Sequence, residues 1–174
     1  MNDRQIRGSV INGYLKYVEK TWGKDGYEDC CQKTRINDIK IRDGQQYNHD
    51  MLLAIIHWIS DTHGAARVRQ AGKHTVQNLG LLAYIVRFAN MDTMLNKAKN
   101  LYADAYSFGE VNTTPTERGA EVTMKDVSQI PEDCIGWEGA FEGMLELTHS
   151  KGRVLKTKCQ LKGDSHCEYD ITWK

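Results

Sequence analysis

In the segment VLKTKCQLKGDSHCEYDITW, residues 154–173, mostly apolar side chains alternate with mostly polar ones on both sides of a Lys162-Gly163-Asp164 turn. Period-two alternation around a glycine-containing turn is typical of an antiparallel hairpin with one buried face. The predicted inward face consists of Leu155, Thr157, Cys159 and Leu161 before the turn and Cys167, Tyr169, Ile171 and Trp173 after it. A turn centred on Gly163 places Cys159 directly opposite Cys167, with their Cβ atoms about 4.5–5.5 Å apart. The segment therefore predicts a terminal hairpin that brings two thiols together.

A helix is predicted immediately before this hairpin, over residues 132–148. It begins just after Pro131, where two acidic residues suit the positive end of the helix dipole. Its apolar stripe consists of Cys134, Trp137, Phe141, Met144 and Leu145. We expect this stripe to pack on the hairpin, with Cys134 in the first turn of the helix above the two hairpin cysteines.

Cys134, Cys159 and Cys167 form a candidate metal site. Three thiols that converge near a helix N-terminus suit Zn²⁺ or another soft metal. The alternative is that the three thiols pack as small apolar side chains, as free cysteine often does. A fourth ligand is not evident, because His166 and Glu168 are predicted to face outward.

A second stripe on the same helix consists of Gly136, Gly139 and Gly143. Glycine inside a helix costs about 1 kcal/mol relative to alanine, so three at this spacing indicate a close approach. The helix then either forms the wall of a ligand cavity or packs tightly on the sheet or on a second copy of the chain.

The first 105 residues show helical periodicity. The stripe of the first helix comprises Ile6, Val10, Ile11, Tyr14, Leu15, Val18 and Trp22, with Asn2 or Asp3 as the cap and Gly23 as the end. A second helix extends from a cap at 48–50 to residue 63 and is apolar nearly all round, which indicates a central position. Further helical patterns cover residues 68–79, 82–88 and 91–102.

The fold class predicted from these patterns is α+β, with an N-terminal helical half followed by a twisted antiparallel sheet with one inserted helix. We expect a single domain over residues 1–174, with residues 1–105 mainly helical and residues 106–174 built of strands plus the helix 132–148.

The amino-acid composition of the chain argues against some classes of binding partner. Lys plus Arg and Asp plus Glu each number 23, which leaves no excess positive charge for a dedicated nucleic-acid binder or a polybasic membrane anchor. Neither a membrane-spanning apolar run nor a signal peptide is present in the sequence, so we expect a cytoplasmic protein without membrane insertion. Five cysteines without an export signal favour thiols or a metal site over a disulfide framework.

Three stretches resemble the 4-vinyl reductase domain family, which includes hydrocarbon-binding proteins and sensory domains of aromatic-responsive transcription activators. They are the ten residues from Cys134, residues 154–159, and the eight residues from Lys162. The opening helix, with Ile11-Asn12-Gly13 and Thr21-Trp22-Gly23, is similar to the start of haem–nitric-oxide-binding domains. Those domains and the TRAPP subunits share the same broad fold, so the resemblance implies helices, then a twisted antiparallel sheet, around an apolar cavity.

The resemblance also implies cofactors, and this chain departs from the pattern of each. In the aromatic-sensing members, three such cysteines bind zinc together with a glutamate three residues before the strand cysteine, where this chain has Lys156. In the haem-binding relatives, a histidine follows a stretch that corresponds here to residues 90–95, which contain no histidine. A Tyr-x-Ser-x-Arg motif for the haem propionates is also not found. Zinc is therefore the candidate cofactor, and haem is the alternative.

The function predicted from this resemblance is the binding and sensing of a small hydrophobic or aromatic ligand through a ligand-dependent movement of helices against the sheet. The predicted ligand-binding residues are His57, Trp58, Ile85, Phe88, Trp137 and Phe141, with His57 as the polar contact. A homodimer and a separate signalling protein are the candidate partners.

Other functions stay open at this point. One alternative is a haem- or tetrapyrrole-binding sensor, and another is an interaction module similar to the TRAPP subunits. A third is an enzyme related to vinyl reductase or thiazoline-carboxylate hydrolase. An enzyme should place a cluster of titratable groups in the cavity, and the sequence offers only His57 and the thiols for that role.

Overall fold

The first half of the chain is helical, as the periodicity predicts. The computed structural model describes residues 4–78 and 90–174. The helices of this half are α1 (Gly8–Lys33), α2 (Asp50–His63), α3 (Ala65–Gln77) and α4 (Met91–Ala105). Two short strands, β1 (Gln5–Arg7) and β2 (Gln46–Asn48), pair antiparallel beside them. The predicted helical segment around Leu82, Ile85 and Phe88 lies outside the described residues.

The first helix begins later than predicted. Residues 5–7 are extended, and α1 starts at Gly8 without a side-chain cap. Gly23 has a φ of 70°, a conformation that side chains with a Cβ rarely adopt, and it interrupts the helix where the sequence predicted its end. The chain continues as helix beyond this kink, so α1 includes Cys30 and Cys31, both buried in the helical core.

The second half is a four-stranded antiparallel sheet with one helix inserted. Its strands are β3 (Glu110–Thr116), β4 (Gly119–Lys125), β5 (Gly152–Lys158) and β6 (Cys167–Trp173), in the order β3-β4-β6-β5. The inserted helix, α5 (Pro131–Leu147), lies within one residue of its predicted bounds. The structure thus confirms the α+β class and the order of helices before sheet.

The glycine stripe of α5 packs on α3. A Cβ at Gly139 would collide with the backbone carbonyl of Arg69, and one at Gly143 would lie 2.7 Å from the carbonyl oxygen of Lys73. Along the edge of this contact, the Arg69 guanidinium lies 2.8 Å from a carboxylate oxygen of Glu138 and 2.7 Å from one of Glu142. The close approach inferred from the glycines is therefore made by a helix rather than by the sheet.

The terminal hairpin differs from its predicted register. The sequence pattern placed Leu155 and Thr157 on the inward face, whereas Leu155 is 53% exposed in the structure. Val154 pairs with Ile171 and Lys156 pairs with Tyr169, and an irregularity between Lys156 and Lys158 shifts the ladder by one residue. A one-residue shift moves every side chain of a strand to the other face. Lys156 consequently lies on the side of the sheet that faces α5.

The connection between β5 and β6 is also longer than a simple turn. Residues Gln160–Lys162 form a short 3₁₀ turn, and Leu161 is 41% exposed rather than buried. Cys159 lies just before this turn instead of inside β5. On β6 the predicted face is confirmed for Cys167, Tyr169 and Ile171, all of which are buried.

Buried side chains form two large clusters. The first joins α1, α2 and α3, and the second joins α4, α5 and the sheet. In the described part of the chain, no helix is long and apolar enough to cross a membrane.

Candidate ligand cavity and thiol cluster

A cavity of about 410 Å³ lies between the helical half and the sheet. Cavities of this size hold small organic molecules in many proteins. Most of its wall is apolar, with contributions from Val10, Leu52, Val76, Met94, Ala98, Leu101, Val111, Met124, Trp137, Ala140, Phe141, Met144 and Leu147. Every helix of the described chain contributes to this wall, so the cavity joins the two halves of the molecule.

Aromatic rings form one side of the cavity. Tyr102 and Tyr106, at the C-terminal end of α4, stack with ring centroids 4.6 Å apart. The Trp137 ring on α5 lies 5.9 Å from the first and 5.5 Å from the second. Phe141, one turn further along α5, has its centroid 6.1 Å from Trp137. All four of these aromatic residues line the cavity.

Asp133 is a buried carboxyl group in the cavity wall. It is 5% exposed and lies in the first turn of α5. Its Oδ2 accepts a long hydrogen bond, 3.4 Å, from the backbone N–H of Gln129. Burial raises the pKa of Asp133 to about 7, although this hydrogen bond and the charge of Arg4 act in the opposite direction. The group is therefore partly protonated near neutral pH.

Two tyrosines near Asp133 differ in how their hydroxyl groups are used. The Tyr102 hydroxyl donates a hydrogen bond of 2.6 Å to the backbone carbonyl of Phe108. The Tyr14 hydroxyl lies against the backbone of Gly136, and no described residue forms a hydrogen bond with it. Burial raises the pKa of both phenols, and the charge of Asp133 raises it further. Both are therefore neutral at physiological pH, and Tyr14 has hydrogen-bonding capacity to spare.

A buried histidine lies behind this end of the cavity. His49 is 1% exposed, and its Nδ1 lies 3.1 Å from Nε2 of Gln129. Its ring packs on Phe108, and the Arg4 guanidinium lies 4.9 Å from the centroid of the same Phe108 ring. Burial, together with the charge of Arg4, lowers the pKa of His49 to about 4. The imidazole is therefore neutral in the folded protein.

The three predicted cysteines converge. The sulfur atoms of Cys134, Cys159 and Cys167 all lie within 4.8 Å of one another. Cys134 and Cys167 are buried and Cys159 is partly exposed. The backbone N–H of Gln160 points at the Cys167 sulfur from 3.4 Å. This grouping forms despite the altered register, because the irregularity after Lys156 pairs Lys158 with Glu168, the register that the sequence predicted for the end of the hairpin.

Lys156 lies beside the thiol cluster. Its Nζ lies 3.1 Å from the sulfur of Cys159. Burial disfavours ionisation of the Cys159 thiol, but the hydrogen bond and charge of Lys156, together with hydrogen bonds from the Leu161 backbone and Cys134, lower the pKa of Cys159 overall. Burial raises the pKa of Cys167 to about 11. The cluster thus contains one thiol with a lowered pKa beside a cation and another with a raised pKa.

The predicted ligand-binding residues divide between the cavity and other places. Trp137 and Phe141 line the cavity. Trp58 is buried away from the cavity wall, where its Nε1 donates a hydrogen bond of 3.0 Å to Asp29. Ile85 and Phe88 lie outside the described residues.

His57 lies outside the described cavity wall, contrary to the prediction that it is the polar contact inside the cavity. Its side chain is 65% exposed, with Nε2 3.0 Å from the carboxylate of Asp61 one turn along α2. The apolar residues around α2 suggested burial on all sides, but the helix has a solvent-facing side, and His57 lies on it. The polar groups of the described cavity wall instead include the buried Asp133 and the tyrosines.

Sequence reasoning missed Asp133 because acidic residues in the first turn of a helix are ordinarily solvated. The spacing carried a usable signal, since Asp133, Trp137 and Phe141 follow one another at intervals of four and therefore share a helical face. A carboxyl group on the same face as two buried aromatic residues points into the interior.

Comparison with known proteins identifies the fold. No family model matches the chain, and no curated protein sequence matches it. An H-NOX protein from S. oneidensis, solved in the Fe(II)NO ligation state, superposes with a TM-score of 0.79 at 14% identity, covering 97% of this chain and 99% of the other. The chain has the H-NOX fold.

Other H-NOX structures agree. A 4-cyano-L-phenylalanine mutant of Cs H-NOX gives a TM-score of 0.78 at 12% identity, covering 97% of each chain. A variant of Tt H-NOX gives 0.77 at 13% identity, covering 97% of this chain and 95% of the other. The H-NOX likeness thus spans both the helical half and the sheet.

A haem is the group to test against this cavity, since one matched structure is described as probing heme distortion in the H-NOX family. None of the chain's six histidines contributes to the described cavity wall, and the sequence of residues 79–89 contains none. The wall does contain tyrosines, which ligate haem iron in some proteins. Burial raises the pKa of Tyr14, Tyr102 and Tyr106, which opposes the phenolate form that iron binds. The described residues therefore do not fit a haem held by histidine.

Proposed function

We propose that the cavity binds a small, largely apolar molecule and that the chain acts as a sensor of that molecule. The observation that carries this proposal is the 410 Å³ cavity with aromatic walls at the junction of helices and sheet. An occupant contacts α4 and α5 as well as β3 and β4, so it stabilises whichever arrangement of helices and sheet fits it best. A ligand that binds one arrangement better shifts the population toward it.

Substitutions in the cavity wall test this proposal. Ala98 on α4 is buried in the wall, and Ala98→Phe fills part of the space, so we expect at least a tenfold loss of affinity for an apolar probe such as 3-ethylindole. Ala103→Phe places the same side chain on the exposed side of α4 and serves as the matched control. Calorimetric titration measures both. Equal affinity in wild type and Ala98→Phe would contradict binding in this cavity.

Trp137 gives a second measurement at the opposite wall. Trp137→Ala removes an aromatic face, so we expect weaker binding of aromatic probes in particular. Native mass spectrometry of freshly purified protein would show a retained ligand directly, together with any metal and the subunit count. It therefore also tests the expectation of a homodimer.

Haem binding is a second candidate, which the H-NOX fold favours. A Soret band after addition of haem, shifted from that of free haem and altered by Tyr102→Phe or Tyr106→Phe, would support it. We expect no such band, because the described wall supplies no histidine and its phenols are neutral.

An enzyme is the remaining candidate, and one observation favours it. Asp133 and the tyrosines form a titratable cluster in the cavity, a feature expected of an enzyme related to vinyl reductase or thiazoline-carboxylate hydrolase. Recovery of the bound molecule unchanged after prolonged incubation would exclude this candidate for that molecule.

The thiol cluster is a proposed structural metal site. The convergence of three sulfurs supports it, since Zn²⁺ in structural sites takes four ligands that are commonly cysteines. Lys156 opposes it, because its ammonium group lies 3.1 Å from the Cys159 sulfur and a positive charge there repels a metal cation. Elemental analysis of protein purified without chelators decides between a loaded site and a metal-free cluster.

A further inference from the structure

Asp133 is the only described acidic group of the cavity wall that is buried. The other charged residues of the wall, Arg7, Asp43 and Asp104, are all exposed. Among the described residues, the backbone N–H of Gln129 is the sole hydrogen-bond donor to the Asp133 carboxyl group, and no basic side chain lies within ion-pair distance of it. A buried carboxylate without a partner is costly, because it has lost hydration and gained little in return.

Arg4, the described cation whose charge lowers the pKa of Asp133, does not pair with this carboxyl group. Arg4 affects the ionisation of Asp133 from a distance, but its guanidinium packs over the Phe108 ring. Its Nη1 atom is buried without a hydrogen-bond partner among the described residues. The described part of the cavity wall contains three carboxyl groups and one guanidinium group, a balance that favours a cation over an anion.

The surroundings of Asp133 also suit a cation. The Tyr14 hydroxyl in the same wall has no described hydrogen-bond partner, so its oxygen is free to accept a bond from an ammonium group. The faces of Tyr106 and Trp137 lie in the same wall, and aromatic faces attract positive charge. Beyond these groups the wall is apolar and accommodates an uncharged body.

We propose that the ligand is an amphipathic amine, with an aromatic or other apolar body against Trp137 and Phe141 and a protonated amino group on the Asp133 carboxylate. This inference rests on the proposed function and names the chemical class of its ligand. The ion pair forms only when the site is occupied, so the amine supplies the counter-charge that the folded chain lacks. An apolar acid of the same shape meets an unpaired carboxylate and is rejected.

A series of indoles that share one ring system tests the proposal. The series is tryptamine, tryptophol, 3-ethylindole and indole-3-acetate, which carry a cationic, a neutral polar, an apolar and an anionic group respectively. We expect tryptamine to bind wild-type protein at least tenfold more tightly than tryptophol at pH 8, and indole-3-acetate to bind most weakly. Isothermal titration calorimetry measures each affinity.

Variants of the first turn of α5 locate the effect. Asp133→Asn should abolish the preference for tryptamine over tryptophol, read as the ratio of the two affinities in the same variant. Glu132→Gln removes the neighbouring, exposed carboxylate of the same turn and should leave the preference intact. A preference that persists in Asp133→Asn, or equal affinities of wild type for the amine and the alcohol, overturns the inference.

A measurement on wild-type protein covers the case in which Asp133→Asn does not fold. Within the wild-type series at pH 8, tryptamine should bind more tightly than tryptophol, and tryptophol more tightly than indole-3-acetate, and this order needs no variant. Calorimetric titration of the three ligands reports the order, and any other order overturns the inference. If no member of the series binds, including 3-ethylindole, the proposed function fails as well. Binding of 3-ethylindole without preference for the amine contradicts the present inference alone.

Discussion

Asp133 and Cys134 are consecutive residues in the first turn of α5, yet they face two differently balanced environments. Cys134 turns toward the sheet and joins a cluster of three thiols in which Lys156 provides a positive charge. Asp133 turns toward the cavity, where no described basic side chain pairs with it. The comparison shows that burial alone does not define a functional group. A buried ionisable group with its partner present has its charge compensated, whereas one without a partner carries an uncompensated desolvation cost.

The largest expected effect is the loss of folding stability caused by the buried Asp133 carboxylate. Its pKa is about 7 in the folded protein and 3.8 in the unfolded chain, so folding becomes less favourable as the pH rises through this interval. The cost is on the order of 4 kcal/mol and is fully present above about pH 7. Asp133→Asn should therefore be more stable than wild type at pH 8 and nearly equal to it at pH 4.

Urea denaturation of both proteins at pH 4, 6 and 8 measures this difference. Glu132→Gln is the control and should follow wild type at every pH. A parallel pH dependence of Asp133→Asn and wild type would show that Asp133 is not the buried titrating group.

His49 should produce a pH dependence of the opposite sign. Its pKa is lowered from 6.5 to about 4, so its buried neutral form favours folding above the ordinary pKa and that stability is lost as the pH falls toward 4. The magnitude is on the order of 3 kcal/mol. His49→Gln should flatten this part of the stability curve, as read from denaturation midpoints between pH 4 and pH 7. A curve that falls as steeply in the variant would assign the acid sensitivity to another group.

A substitution at Lys156 changes the charge beside the thiol cluster. Lys156→Glu replaces the cation with a metal-ligating carboxylate, so zinc affinity should rise by about ten- to hundredfold, comparable to the known effect of groups surrounding metal sites. Competition with a chromogenic chelator measures the affinity. Lys158→Glu alters a neighbouring lysine that pairs with Glu168 instead, and it should leave zinc binding unchanged. Equal zinc affinity in Lys156→Glu and wild type would contradict a role of Lys156 at the cluster.

The smallest effect separates two tyrosines of the cavity. Tyr102→Phe removes a hydrogen bond of 2.6 Å to the Phe108 carbonyl and should cost about 1–2 kcal/mol of stability. Tyr14→Phe removes a hydroxyl without a described partner and should change stability by less than about 0.5 kcal/mol. Thermal unfolding of the two variants decides the matter, and a larger loss in Tyr14→Phe would show that its hydroxyl already has a partner.

Periodicity was sufficient to predict the elements whose neighbours are close in sequence. The helix 132–148, the buried face of β6 and the convergence of Cys134 with Cys159 and Cys167 all follow from spacing, and the structure contains each of them. The irregularity between Lys156 and Lys158 did not follow, because both register alternatives keep a period of two along β5. That irregularity moves Lys156 to the thiol cluster and moves Leu155 to the surface.

The cavity was less accessible to sequence reasoning, for a different physical reason. His57 and Asp133 each lie on a helix with many apolar neighbours, and which side of a helix faces solvent depends on the other elements that cover it. Those elements are distant in the sequence, so periodicity favoured His57, whereas the structure buries Asp133 and exposes His57. Periodicity could therefore not show which of these polar residues is buried, and only the structure shows it.

The contact between α3 and α5 has a mechanical consequence. Where Gly139 and Gly143 meet the carbonyls of Arg69 and Lys73, main chain touches main chain and no side chain lies between that could change rotamer. A contact of this kind cannot adjust through small side-chain movements, so we expect α3 and α5 to move together as one rigid unit. Any displacement caused by an occupant of the cavity must then be taken up by α1 and α4, which contact that unit through deformable side chains.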